Sequence, residues 1–130
     1  MNNPNLPEGN ERIWTEWFEI PANDFERAKK FYETIFEMKI EAIDFGGFKM
    51  GIFPHKEVGC AICSGEWYKA GPQGPVVYLN ANPDLEVILK RVEKAGGKIV
   101  QNKKLITPEY GFMALFLDSE GNRLGLHSTK

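Results

Sequence analysis

One unit of local structure occurs twice along this chain. The first copy opens with Ile13–Ile20, rich in aromatic and β-branched residues, turns at Pro21-Ala22-Asn23-Asp24, and continues as an amphipathic stretch from Phe25 to Phe36. That order reads as strand, turn, helix, with Asn23 or Asp24 able to cap the helix because a short side-chain oxygen accepts from the free first-turn N–H groups. Phe25, Ala28, Phe31, Tyr32 and Ile35 recur at helical spacing and predict its buried stripe. Further along, Val76–Asn80 reads as a short apolar strand, Asn82-Pro83-Asp84 as a turn, and Leu85–Ala95 as a helix stopped by Gly96-Gly97. Laying Asp24-Phe25-Glu26 on Asp84-Leu85-Glu86 pairs Trp17 with Val77 and Phe18 with Tyr78.

Three more strands are expected after each helix. They are Lys39–Ile43, Phe48–Phe53 and Gly59–Ser64 in the first half, and Lys98–Gln101, Phe112–Leu117 and Arg123–His127 in the second. The order βαβββ, used twice, is too short for a solenoid, which needs at least three repeats. The expected architecture is α+β: modules at about 13–64 and 76–128 within one domain over 13–130, joined by linker 65–75 and preceded by a polar leader over 1–12.

Composition narrows the function classes. With 130 residues, 42% hydrophobic and 26% charged, the chain has the make-up of a globular domain large enough to fold without disulfides or a structural metal. The 16 basic and 18 acidic residues are interspersed, so no basic stripe is present to hold nucleic acid. No apolar run approaches the ~20 residues of a membrane span and no signal-peptide pattern is present, so cytoplasmic residence is expected. Two cysteines, Cys60 and Cys63, fit a reducing compartment. Their spacing matches half of a redox or zinc motif, but residues three apart on a strand point to opposite faces and no second pair completes a metal site.

Several strings resemble one family. Trp17-Phe18-Glu19-Ile20-Pro21-Ala22-Asn23-Asp24 with the following Phe25-to-Tyr32 helix is similar to the opening strand and helix of the vicinal oxygen chelate superfamily, which includes glyoxalases, bleomycin-resistance proteins and dioxygenases. Asp118-Ser119-Glu120-Gly121-Asn122 resembles its closing hairpin, and Ala95-Gly96-Gly97-Lys98 its second-helix exit. The resemblance runs from Trp14 to Ser128. It implies tandem βαβββ repeats forming a cupped, partly open mixed β-sheet barrel, and it implies a homodimer.

In metal-dependent relatives one ligand comes from the first and one from the fourth strand of each repeat. Carried over by position, these sites fall on Trp17, Val77, Gly125 and Ala61, and none of the four has a donor suited to a divalent ion. The expectation is a cup without a metal or other cofactor. By strand parity, Glu19 shares the cup with Trp17, while Phe18 and Ile20 face the helix. Ala61 and Cys63, Val77 and Leu79, and Arg123, Gly125 and His127 are expected there too. Trp67-Tyr68 and Glu109-Tyr110-Gly111 form its rim, a lid, or part of a dimer contact. His55, in a turn, is expected to be solvated.

Trp17, Ala61, Cys63, Val77, Leu79, Tyr110 and Gly125 are therefore the candidate ligand-binding residues of a small-molecule-binding protein that takes an apolar or aromatic compound. Glu19 and His127 are the candidate catalytic residues of the alternative, a lyase or isomerase related to lactoylglutathione lyase that recruits a divalent metal. For Glu19 the plain alternative is a structural pairing with Arg123 or Lys49. A third reading is a dimeric interaction module without a ligand.

Overall fold

The structure is a computed structural model, and it describes residues 11–130. The leader expected over 1–12 lies, up to residue 10, outside the described residues. The first module holds β1 (Trp17–Pro21), α1 (Phe25–Phe36), β2 (Glu41–Asp44), β3 (Phe48–Ile52) and β4 (Gly59–Gly65). The second holds β5 (Val77–Asn80), α2 (Glu86–Val92), β6 (Lys98–Thr107), β7 (Gly111–Leu117) and β8 (Arg123–Ser128). Each module makes a mixed four-stranded sheet, in the orders β1-β4-β3-β2 and β5-β8-β7-β6. Both sheets are open, and no strand of one pairs with a strand of the other.

Local chemistry explains the elements. Asp24 adopts an extended φ of −130° and its Oδ1 accepts from the Arg27 N–H at 3.1 Å, capping α1. The helix ends at Glu37, whose left-handed φ of 51° turns the chain out while its N–H still reaches the Glu33 carbonyl. At the start of α2 Asp84 Oδ1 accepts from the Glu86 N–H at 2.9 Å, and Ser128 Oγ, on β8, accepts from the Leu85 N–H at 2.9 Å. The strand β6 runs well past the expected Lys98–Gln101. Its continuation, Asn102-Lys103-Lys104, lacks apolar alternation and pairs with β7 through register shifts, and a lysine-bearing edge strand of this kind hides from pattern reading.

One continuous core lies between the helices and the inner faces of both sheets, joining Phe25, Phe31, Tyr32 and Ile35 of α1 to Ile62 of β4 and to Phe116 and Leu126 of the second sheet. The Asp-x-Glu-Gly-Asn hairpin does more than turn the chain. Arg27 grips Glu120 through Nε at 2.6 Å and Nη2 at 3.1 Å, and the Asp24 N–H donates to Glu120 Oε1 at 2.7 Å. Asn122 Nδ2 donates to the Pro21 carbonyl at 2.7 Å, so the hairpin of the second module is fastened to the first strand and helix of the first.

The register between the repeats differs by one residue from the sequence alignment. The Ala22 N–H donates to the Cys63 carbonyl and the Ala81 N–H to the His127 carbonyl, and Pro21 pairs with Cys63 as Asn80 does with His127. The structural mate of Phe18 is therefore Val77, and that of Glu19 is Tyr78. The cause is an extra residue in the second turn: two residues lie between buried Ala22 and buried Phe25, and three between Ala81 and Leu85.

Candidate functional site

Each sheet turns one face to the helices and leaves the other open. On the first sheet Phe18, Ile20, Cys60 and Ile62 face the helices and join the core. Trp17 and Glu19 face the open side, in register with Gly59 and Ala61, and Cys63 follows on the same face beside Pro21. Across β3 and β2 that face continues through Ile52, Met50 and Ile43. Ala61 and Cys63 are fully buried beneath their neighbours, whereas Trp17 is 39% exposed.

Glu19 is the polar centre of this face. Its Oε1 accepts from the Tyr68 hydroxyl at 2.7 Å and its Oε2 from Trp17 Nε1 at 3.2 Å. The structural pairings expected for it do not form: Lys49 Nζ lies over the Phe25 ring and Arg123 donates to the Gly74 carbonyl. The bond to Glu19 holds the Tyr68 hydroxyl well above the usual tyrosine range. Burial pushes the Cys63 thiol up to about 12, and its sulfur lies against Tyr68 and Glu19. Of the two loop segments expected at the rim, Tyr68 is built into the site; Trp67, next to it, is 88% exposed.

Aromatic rings extend from this carboxylate in both directions. Tyr68 stacks on Phe48 with centroids 5.5 Å apart, and Phe48 on Phe45 at 5.2 Å. On the other side Trp17 meets the His55 ring edge-on at 5.8 Å. His55 is exposed, as expected of a turn residue, but its ring also covers the Cα of Gly59, where no side chain stands in the way.

The second sheet corrects the parity expectation. Leu79 is in the core and Val77 packs against it, so both face the helices. Tyr78 and Asn80 occupy the open face instead, because the one-residue offset in the second turn reverses which residues point outward. The Tyr78 ring lies directly over Gly125, filling the space that any side chain at that position would need. His127 shares this face with Gly125, and its Nε2 is 2.6 Å from the Tyr110 carbonyl. Tyr110 is thus tied to the second sheet through its backbone, with its ring exposed.

Between the edge strands β1 and β5 runs an open groove of about 960 Å³. Glu19 and Val77 reach it from opposite sides, together with Tyr78, Arg123 and the linker residues Lys69 and Gln73. Of the other candidates, Trp17, Ala61 and Cys63 cluster with Glu19 on the first sheet, while Leu79, Tyr110, Gly125 and His127 belong to the second. Sequence reasoning missed Phe48 and Tyr78. Phe48 was legible from the parity of β3 and Tyr78 was not, since its face depends on the turn that follows.

Two open βαβββ sheets fastened by the closing hairpin agree with comparison to known proteins. The glyoxalase/bleomycin resistance protein/dioxygenase superfamily model matches residues 14–126. The chain belongs to that superfamily. A glyoxylase-like domain-containing protein from Didymella fabae is 32% identical over 114 residues, covering 80% of this chain and 84% of that one. Among solved structures of the same fold, a hypothetical protein from S. aureus aligns with a TM-score of 0.68 at 20% identity, covering 91% of this chain and 95% of its own. A mutant of the fosfomycin resistance protein FosX from Listeria monocytogenes, complexed with Mn(II) and a dihydroxypropylphosphonic acid, aligns with a TM-score of 0.64 at 15% identity, covering 87% and 89%.

Superfamily membership raises the question of a divalent metal, and the residues here do not fit one. Ala61 and Gly125 offer no donor atom, and the Trp17 N–H is a donor already directed at Glu19. Val77 faces the core, and Val76, the register mate of Trp17, has no donor atom either. Among the described residues no three His, Cys, Asp or Glu side chains converge as metal ligands.

Proposed function

We propose that this superfamily member is a small-molecule-binding protein that works without a divalent metal and takes an apolar or aromatic compound on the open face of the first sheet. The observation that carries the reading is the half-exposed Trp17 ring, set on an apolar face and oriented by its bond to Glu19. A flat ring with a fixed polar neighbour is the usual make-up of a small-ligand site. The adjoining groove supports it, being broad enough for a drug-sized molecule and lined largely by apolar side chains. A homodimer is part of the proposal, since a second copy would cover exposed aromatics away from that face, Tyr110 among them. Two free, buried cysteines support a reducing compartment such as the cytoplasm.

Two measurements test the reading. Titration of the protein with planar hydrophobic compounds, followed by the fluorescence of Trp17 in a variant whose other two tryptophans are phenylalanine, is expected to show saturable quenching. Elemental analysis of protein purified without chelator is expected to find only substoichiometric transition metal, with no thermal shift on adding Mn, Ni, Zn, Fe or Co. Stoichiometric metal, or no quenching by any compound, would count against it.

A further inference from the structure

We propose that the open face of the first sheet selects an organic cation, a substituted ammonium carried on a flat apolar body, with Glu19 as its counter-charge and Trp17 and Tyr68 as its walls. The inference rests on the small-molecule reading above and adds the chemical class of the ligand. Glu19 is a carboxylate on an otherwise apolar, aromatic face, and among the described residues no lysine or arginine lies within ion-pairing distance of it. Lys49, on β3 with β4 between it and Glu19, is turned to the other face over Phe25. The two bonds that Glu19 accepts both come from aromatic side chains and use two of the roughly four acceptor positions a carboxylate offers. Acceptor capacity is left over, and the groups that hold the carboxylate are themselves π-surfaces.

An ammonium placed against Glu19 therefore meets opposite charge and aromatic rings together. The negative ring faces of tryptophan and tyrosine attract such a cation, and rings grouped around one are the recurrent means of recognising alkylammonium groups. Beyond Tyr68, the stacked rings of Phe48 and Phe45 continue the surface and suit a flat apolar body. An anionic ligand on this face would meet the Glu19 charge, which no lysine or arginine among the described residues pairs. A neutral one would gain the apolar surface but leave the charge without a partner.

The test uses the full chain and three probes: benzyltrimethylammonium, its uncharged carbon isostere neopentylbenzene, and phenylmethanesulfonate. Binding is read from the shift of the Trp17 indole N–H resonance on titration. The cation is expected to bind about tenfold more tightly than the isostere, the size of one aromatic–cation contact with charge pairing, and the sulfonate not at all. Glu19→Gln, at an exposed position, is expected to bring the cation down to the affinity that the isostere shows on the same variant. Equal binding of cation and isostere to the unaltered protein would overturn the charge selection and leave the small-molecule reading standing. No shift with any probe would overturn both.

Discussion

The Tyr32 hydroxyl donates a hydrogen bond to Asp118 Oδ2 at 2.7 Å, linking the helix of the first module to the hairpin of the second inside the core. Both side chains are buried, and burial drives the tyrosine well above its ordinary range. Asp118 keeps three further donors, the N–H groups of Glu120 and Asn122 and the Asn122 side chain. Tyr32→Phe therefore removes one of four bonds without stripping the carboxyl. It should cost about 1–3 kcal/mol, the range for weakening a buried polar group, read as a lower urea midpoint with an unchanged slope.

Glu120 and Asp118 should respond to acid with opposite signs. Burial works to raise Glu120, but the bonds from Arg27, the Asp24 N–H and Ser119 outweigh it, and the carboxyl lies below its ordinary 4.5. A depressed folded value means stability that is complete above pH 4.5 and lost as pH falls through the folded value. Asp118 is raised from 3.8 by burial, only partly offset by bonds from Asn122 and Tyr32, so its contribution is complete below 3.8 and lost as pH rises through the folded value. Urea unfolding at stepped pH should show Glu120→Gln losing less stability than the parent on acidification below 4.5. Asp118→Asn should lose more. Parallel acid limbs for all three proteins would contradict this assignment.

Gly125 is where the second sheet admits the Tyr78 ring. A methyl group there meets that ring, so Gly125→Ala should cost about 1–3 kcal/mol, the usual range for overpacking. Tyr78 is 49% exposed, and in a Tyr78→Ala background most of the cost should vanish. A double-mutant cycle measures the coupling. Additive effects would mean that the ring is not what occupies the space.

Burial raises both thiols, Cys60 and Cys63, to about 12. Since the thiolate is the reactive form, the native protein at pH 8 should react with Ellman's reagent far more slowly than the unfolded chain, which should release two equivalents at once. Fast reaction of either thiol in the native state would show that its strand opens.

Much of the first module was legible in the sequence because its signals are local. Asp24 caps, the helical stripe repeats at its period, and β1 alternates, so the shared face of Trp17 and Glu19 follows from parity alone. The second module was read one residue out of step. The offset arises in the turn after β5, and the face of a strand reverses with a single residue, so an alignment anchored on the helix gave the cup Val77 and Leu79 in place of Tyr78 and Asn80. β6 was cut short for a different reason: Asn102-Lys103-Lys104 breaks the apolar alternation at a sheet edge, where backbone pairing holds the strand without an apolar pattern.

The sequence by itself determined the duplicated βαβββ order, the superfamily, and the lack of metal donors at Trp17, Ala61 and Gly125, since each depends on residue identity at short range. Tertiary structure alone decided the partners of Glu19. Tyr68 comes from a loop far along the chain, and no spacing rule foretells that its hydroxyl meets that carboxylate. It also decided that the closing hairpin, a turn signal when read locally, reaches back across the fold. Asp118, Glu120 and Asn122 find Tyr32, Arg27 and Pro21 only once the core has brought the two modules together.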